Sequence, residues 1–151
     1  MSLPFDPAAV DPEEFGEKQV TLDMDHQEAI EYVRAVCTDA GFGVPVEFSP
    51  SEMLNKKVDA DRDPYYVLGA CNPLIADRAL DATDKRLGAL MPCNMIVWQE
   101  EPGLQRVYHV SIMKVARLLG MAADTDEMDA IIDDTGEMVA AVFDELDASD
   151  A

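Results

Sequence analysis

Residues 66–74 read YVLGACNPL, and residues 91–98 read MPCNMIVW. The run that ends in the first stretch, PYYVLGA (64–70), is nearly all apolar and rich in aromatic and β-branched residues. It therefore reads as a strand buried on both faces or in the centre of a sheet. Asn72 follows as an N-cap and Pro73 as the first helical residue, so a helix through LIADRALDATD starts where the strand stops. Beyond KRLGALMP, the runs CNMIVWQE and LQRVYHV flank EPG, which reads as a hairpin. A Cys-Asn-Pro thus closes one strand and a Pro-Cys-Asn opens the next.

Working outward, KQVTLDM (18–24) alternates Val20, Leu22 and Met24 and reads as a half-buried strand. In DHQEAIEYVRAVCTDAGFG, Asp25 with Glu28 forms a capping-box pattern. Ile30, Val33, Val36, Cys37 and Ala40 then recur at helical spacing, and Gly41 ends the helix. VPVEFS is a short strand that Pro45 places near an edge or a strand start, and Ser49, Pro50 and Glu52 open a short helix. Ser111 caps a helix in IMKVARLLG. The last segment places Met128, Ile131, Ile132, Thr135, Met138, Val139, Val142, Phe143 and Leu146 on one helical face. Strands and helices neither alternate strictly nor segregate, so the class is α+β, one sheet covered by helices on one side.

The chain has 151 residues with 48% apolar content, enough for one cored domain. The expected organisation is an acidic, extended N-terminal tail over 1–17, the domain over 18–147 and a short tail over 148–151. No apolar run reaches membrane-spanning length and the N-terminus does not read as a signal peptide, so the expected setting is cytoplasmic. Asp and Glu number 31 against 11 Lys and Arg, a net charge of −20. Such a surface repels itself in dilute buffer and is screened near 1 M salt, where the Debye length is about 3 Å, so the composition reads as halophilic. The same charge disfavours nucleic acid and anionic membranes as partners.

Three features in order, a helix closing in AGFGV, a strand closing in G-x-C-N-P and a P-C-N opening a hairpin, resemble the DUF302 family over roughly 18–146. The resemblance implies a β-α-β(4)-α arrangement of the TATA-binding-protein-like kind, commonly paired as a homodimer. The family has no agreed biochemical activity, and the resemblance leaves the cofactor unknown. It also makes the strands ending at Cys71 and beginning at Cys93 antiparallel neighbours, which gathers Cys71, Asn72, Pro73, Pro92, Cys93 and Asn94 at one rim.

That rim admits competing readings. As a binding site it takes a small ligand or partner, with Arg78, Lys85 and Arg86, which lie between the motifs, available to an anion. As a thiol site, Cys71 beside the positive helix start attacks and Cys93 resolves, or both sulfurs hold a soft metal with Met91, Met95 or a histidine. As plain structure, both cysteines are small buried hydrophobes and the Asn-Pro pairs are caps. Cys37 sits on an apolar helix stripe and reads as core. His26 reads as exposed and His109 as a surface or satisfied-core residue. No hydrolytic triad, zinc spacing or calcium loop is present.

Overall fold

A computed structural model of the chain describes residues 2–148. Five strands, β1 (Lys18–Leu22), β2 (Gly43–Phe48), β3 (Tyr65–Cys71), β4 (Cys93–Glu101) and β5 (Leu104–His109), form one sheet in the order β1-β5-β4-β3-β2. All four pairings are antiparallel. The helices are α1 (His26–Asp39), α2 (Pro50–Val58), α3 (Pro73–Ala82), α4 (Ile112–Leu118) and α5 (Asp126–Ala148). This is the expected α+β arrangement. The stretch 149–151, most of the expected C-terminal tail, lies outside the described residues.

The sheet separates its side chains by the pleat. On one face, Leu68 pairs with Met95 and Val97 with Val107, and all four are fully buried. Against them α1 sets Ala29, Ile30, Val33, Val36 and Cys37, and α5 sets Val139, Val142, Phe143 and Leu146. A second apolar cluster lies further out, where Ile75 and Ala79 of α3 meet Leu87, Met113 of α4, and Met128 and Ile131 of α5. The opposite sheet face carries no helix core: Phe48, Val67, Ile96, Tyr108 and Gln19 follow one another across all five strands in register.

Local signals account for most boundaries. Asn72 Oδ1 accepts the Ile75 amide at 3.0 Å, Ser49 Oγ accepts the Glu52 amide at 3.1 Å and Ser111 Oγ accepts the Lys114 amide at 3.2 Å. Each cap satisfies a donor that the first helical turn would otherwise leave open. Asp25 differs from expectation: it occupies the cap position, but its exposed carboxylate makes no capping bond, and only its backbone carbonyl accepts, from Ala29 at 2.9 Å. Its neighbour His26 is half-buried, because Nδ1 lies 2.8 Å from the side-chain oxygen of Gln105, a fully buried polar residue of β5. Within the N-terminal stretch, Pro7–Ala9 and Pro12–Phe15 form 3₁₀ turns, and the carbonyl of Phe15 accepts the Ser111 amide at 2.8 Å. No helix among the described residues is long and apolar enough to cross a membrane.

Candidate functional site

Register brings the two cysteine motifs together. Ala70 of β3 is directly opposite Cys93 of β4, so Cys71 and Cys93 lie at the same sheet end on adjacent strands. Helix α3 leaves from this rim, and the chain returns to it through a 3₁₀ turn, Arg86–Ala89, and a cis Met91–Pro92 peptide. The glycine of G-x-C-N-P is required by this return: a Cβ on Gly69 would stand 2.6 Å from Pro92 Cγ, 2.7 Å from Val46 Cγ2 and 2.9 Å from the Val46 carbonyl oxygen. Asn72 does two jobs, capping α3 and donating through Nδ2 to the Gly41 carbonyl at 3.1 Å, which ties the end of α1 to the start of α3.

Between the motifs lies a cavity of about 20 Å³, lined by Cys71, Asn72, Pro92 and Cys93 and closed by apolar side chains including Phe42 and Met113. The pleat puts Cys93, with Ala70, on the helix-covered face. Cys71 is in phase with Gly69 and the open face, so it meets the cavity at its half-exposed mouth. Burial pushes the Cys93 thiol up to about 12, with the neighbouring Cys71 adding to the rise. Cys37, in the α1 stripe, is pushed up to about 11 by burial alone. Both are free thiols in apolar surroundings, the setting of an unreactive cysteine.

The remaining expected site residues are divided. Pro73 is exposed at the first turn of α3, and Asn94 is exposed on β4 with its carbonyl 2.9 Å from His109 Nδ1. Neither lines the cavity. Arg78 donates to Glu127 and Asp134 of α5 at 3.0 and 2.8 Å, and Arg86 donates to the Thr83 and Met121 carbonyls. These two arginines brace α3 and its following turn. No group of three or more His, Cys, Asp or Glu able to hold a metal occurs among the described residues.

The sequence leaves His109 a surface or satisfied-core residue, and in the structure it is buried, at 3% exposure. A carbonyl only accepts, so Nδ1 carries the hydrogen toward Asn94 and the ring is held in one tautomer. Burial lowers its pKa below the ordinary 6.5, the bond to Asn94 opposing in part, and the imidazole is favoured as the neutral form.

With this geometry in place, comparison with known proteins decides the lineage. The model of the DUF302 family, described as a domain of unknown function, matches residues 18–146. The chain belongs to the DUF302 family. A crystal structure of an uncharacterized conserved DUF302 protein from Bacillus stearothermophilus superposes with a TM-score of 0.73 at 25% identity, covering 86% of this chain and 97% of that one. No curated protein matches the chain. Phe15, whose carbonyl accepts the Ser111 amide, precedes the matched residues.

Proposed function

We infer that this DUF302 domain is a binding module acting as a homodimer, with its ligand or partner contact at the Cys71/Cys93 rim. One observation carries the reading: the two motifs frame a single small cavity with apolar walls. At about 20 Å³ it has room for a group the size of a water or methyl, and an apolar cavity stays dry. Its complement is an apolar end group, with the rest of the ligand lying across the rim. The thiol-exchange reading is less favoured, because a resolving Cys93 held up to about 12 supplies almost no thiolate near neutral pH.

Pairing is supported by the open sheet face. Val46 and Phe48 are 57% and 52% exposed there, and Tyr65 stacks on Trp98 with ring planes 7° apart. Its charges in register are Arg106 and Glu100, which pair with each other, and the Glu17 carboxylate reaches the Tyr108 hydroxyl at its edge, in a chain of net charge −20. Two such chains repel least where apolar side chains outnumber carboxylates. Edge-to-edge growth is discouraged by Pro45 and the register shift in β2.

The test is native mass spectrometry of protein isolated from its own cells, beside Ala76→Leu, which fills the cavity from α3. Retention of a small molecule by wild type and its loss in the variant is the expected result. A Cys71–Cys93 disulfide formed in mild peroxide would instead establish the redox reading. Light scattering of Phe48→Asp/Ile96→Asp tests the dimer: a wild-type mass of one chain ends that part of the proposal.

A further inference from the structure

A second cleft, of about 220 Å³, lies between the end of β5, α4 and α5, beneath the docked N-terminal segment. Lys18, His109, Ser111 and Lys114 line one side, and Ile132 and Gly136 belong to the α5 side. Ten times roomier than the rim cavity, it accommodates a whole small metabolite, though not a nucleotide. It shares only the Thr135 wall with the rim cavity.

Three independent features suit it to one kind of molecule. The first is charge. Among 31 acidic residues, four of the arginines, Arg34, Arg78, Arg106 and Arg117, hold carboxylates, yet neither Lys18 nor Lys114 has an ion-pair partner among the described residues. Two ammonium groups, free of ion pairs like the other lysines among the described residues, therefore share one cleft in a strongly acidic chain. Glu13 and Glu17 of the docked segment border the same two lysines across an adjoining depression without forming an ion pair with them, and Glu17 accepts the Tyr108 hydroxyl at 2.6 Å.

The second is an unpartnered acceptor on a buried ring, the nitrogen itself keeping contact with solvent. His109 is 3% exposed, its Nδ1–H is spent on the Asn94 carbonyl, and Nε2 has no hydrogen-bond partner among the described residues. In that tautomer Nε2 presents a lone pair, so it asks for a hydroxyl or N–H donor. The third is space. A Cβ on Gly136 would meet nothing within 4 Å, whereas Gly16, at φ 72, packs so tightly that its Cβ would stand 2.9 Å from Ser111 Cβ. The N-terminal segment thus closes one end while α5 leaves the other open.

We propose that this cleft binds a small hydroxylated carboxylate, its carboxylate held by Lys18, Lys114 and the Ser111 hydroxyl, its hydroxyl donating to His109 Nε2, and its carbons against Ile132 and Val139. The site is independent of the rim reading, and one of its lining residues, Gly16, precedes the family match.

Calorimetric titration of the full chain with lactate, propionate and propane-1,2-diol tests it. Lactate is expected to bind with a dissociation constant of about 1 mM, propionate about tenfold more weakly for loss of the hydroxyl, and the diol not measurably. Lys114→Ala is expected to weaken lactate about tenfold. Gly136→Met, which replaces an exposed helical glycine by a better helix former and fills the cleft, is expected to abolish binding while melting no lower than wild type. Ala76→Leu, which fills the rim cavity, is expected to leave lactate binding unchanged. Equal affinity for lactate and propionate, unchanged lactate binding in Gly136→Met, or no lactate binding by wild type would each overturn the proposal.

Discussion

Replacing Gly69 by alanine is the sharpest test of how the rim is built. In most strand interiors this change stabilises by about 0.5–1 kcal/mol, because glycine has more backbone freedom to lose. Here the added methyl meets three atoms inside 3.0 Å: Pro92 Cγ at 2.6 Å, Val46 Cγ2 at 2.7 Å and the Val46 carbonyl oxygen at 2.9 Å. The valine side chain is exposed and can rotate. The carbonyl is part of β2, whose register pairs Val46 with Gly69, and the proline ring closes the chain return ahead of Cys93, so neither moves alone. Overpacking of this kind costs about 1–3 kcal/mol, which exceeds the backbone gain. Net of that gain the loss is up to about 2.5 kcal/mol; for a chain of this size each kcal/mol lowers the melting midpoint by about 2–4 °C, so a fall of up to about 10 °C is expected in thermal unfolding followed by circular dichroism. Gly88→Ala is the control, since a Cβ there meets nothing within 4 Å, and its midpoint is expected to stay within about 0.5 kcal/mol equivalent of wild type. A Gly69→Ala protein that melts at or above wild type refutes the account of Pro92 lying on the glycine.

Three further outcomes follow from the same structure. Cys93→Ser buries an unpartnered hydroxyl and is expected to cost about 1–3 kcal/mol in urea unfolding, while Cys71→Ser at the half-exposed strand end stays within about 0.5 kcal/mol; equal effects would contradict the placement of the two thiols. Because burial lowers the His109 pKa in the fold, the unfolded chain binds that proton first as pH falls below 6.5. Stability from the neutral ring is therefore present above 6.5 and lost as pH drops through the lowered folded value, and His109→Phe is expected to flatten that part of the stability–pH curve. Finally, raising KCl from about 0.1 M to about 1 M shortens the Debye length from about 10 to about 3 Å, so a chain of net charge −20 is expected to melt higher; an unchanged midpoint would remove the halophilic reading.

The elements were legible because period and caps agree. Val20 and Leu22 alternate, α5 repeats its apolar positions at helical spacing, and Asn72, Ser49 and Ser111 each cap where a strand or loop hands over to a helix. What could not be read was anything set by groups far apart in the chain. The Asp25–Glu28 pattern suggested a capping box, but that pattern says nothing of Gln105, 79 residues away, whose side chain engages His26. Arg78 looked free between the motifs because its two acids lie on α5, 49 and 56 residues on. The cleft beside His109 left no local trace at all: Lys18, His109, Lys114 and Gly136 come from four elements, and only the pairing of β1 with β5 brings the first two together.

The paired motifs can now be separated into residues that packing requires and residues that it does not. Gly69 is required by Pro92 and by the β2 carbonyl, Asn72 by the open amides of α3 and the Gly41 carbonyl, and Cys93 fills a buried apolar position opposite Ala70. Each of these would be selected in a protein with no ligand at this rim. Cys71 is different: it is half-exposed, forms no disulfide, and stands at the mouth of the cavity in phase with the uncovered sheet face. Alanine or serine would serve the fold as well there, since nothing around it demands sulfur. A functional signal that survives subtraction of the packing requirements therefore rests on this one position, and comparing wild type with Cys71→Ala for retained ligand and for alkylation rate measures it without disturbing the core.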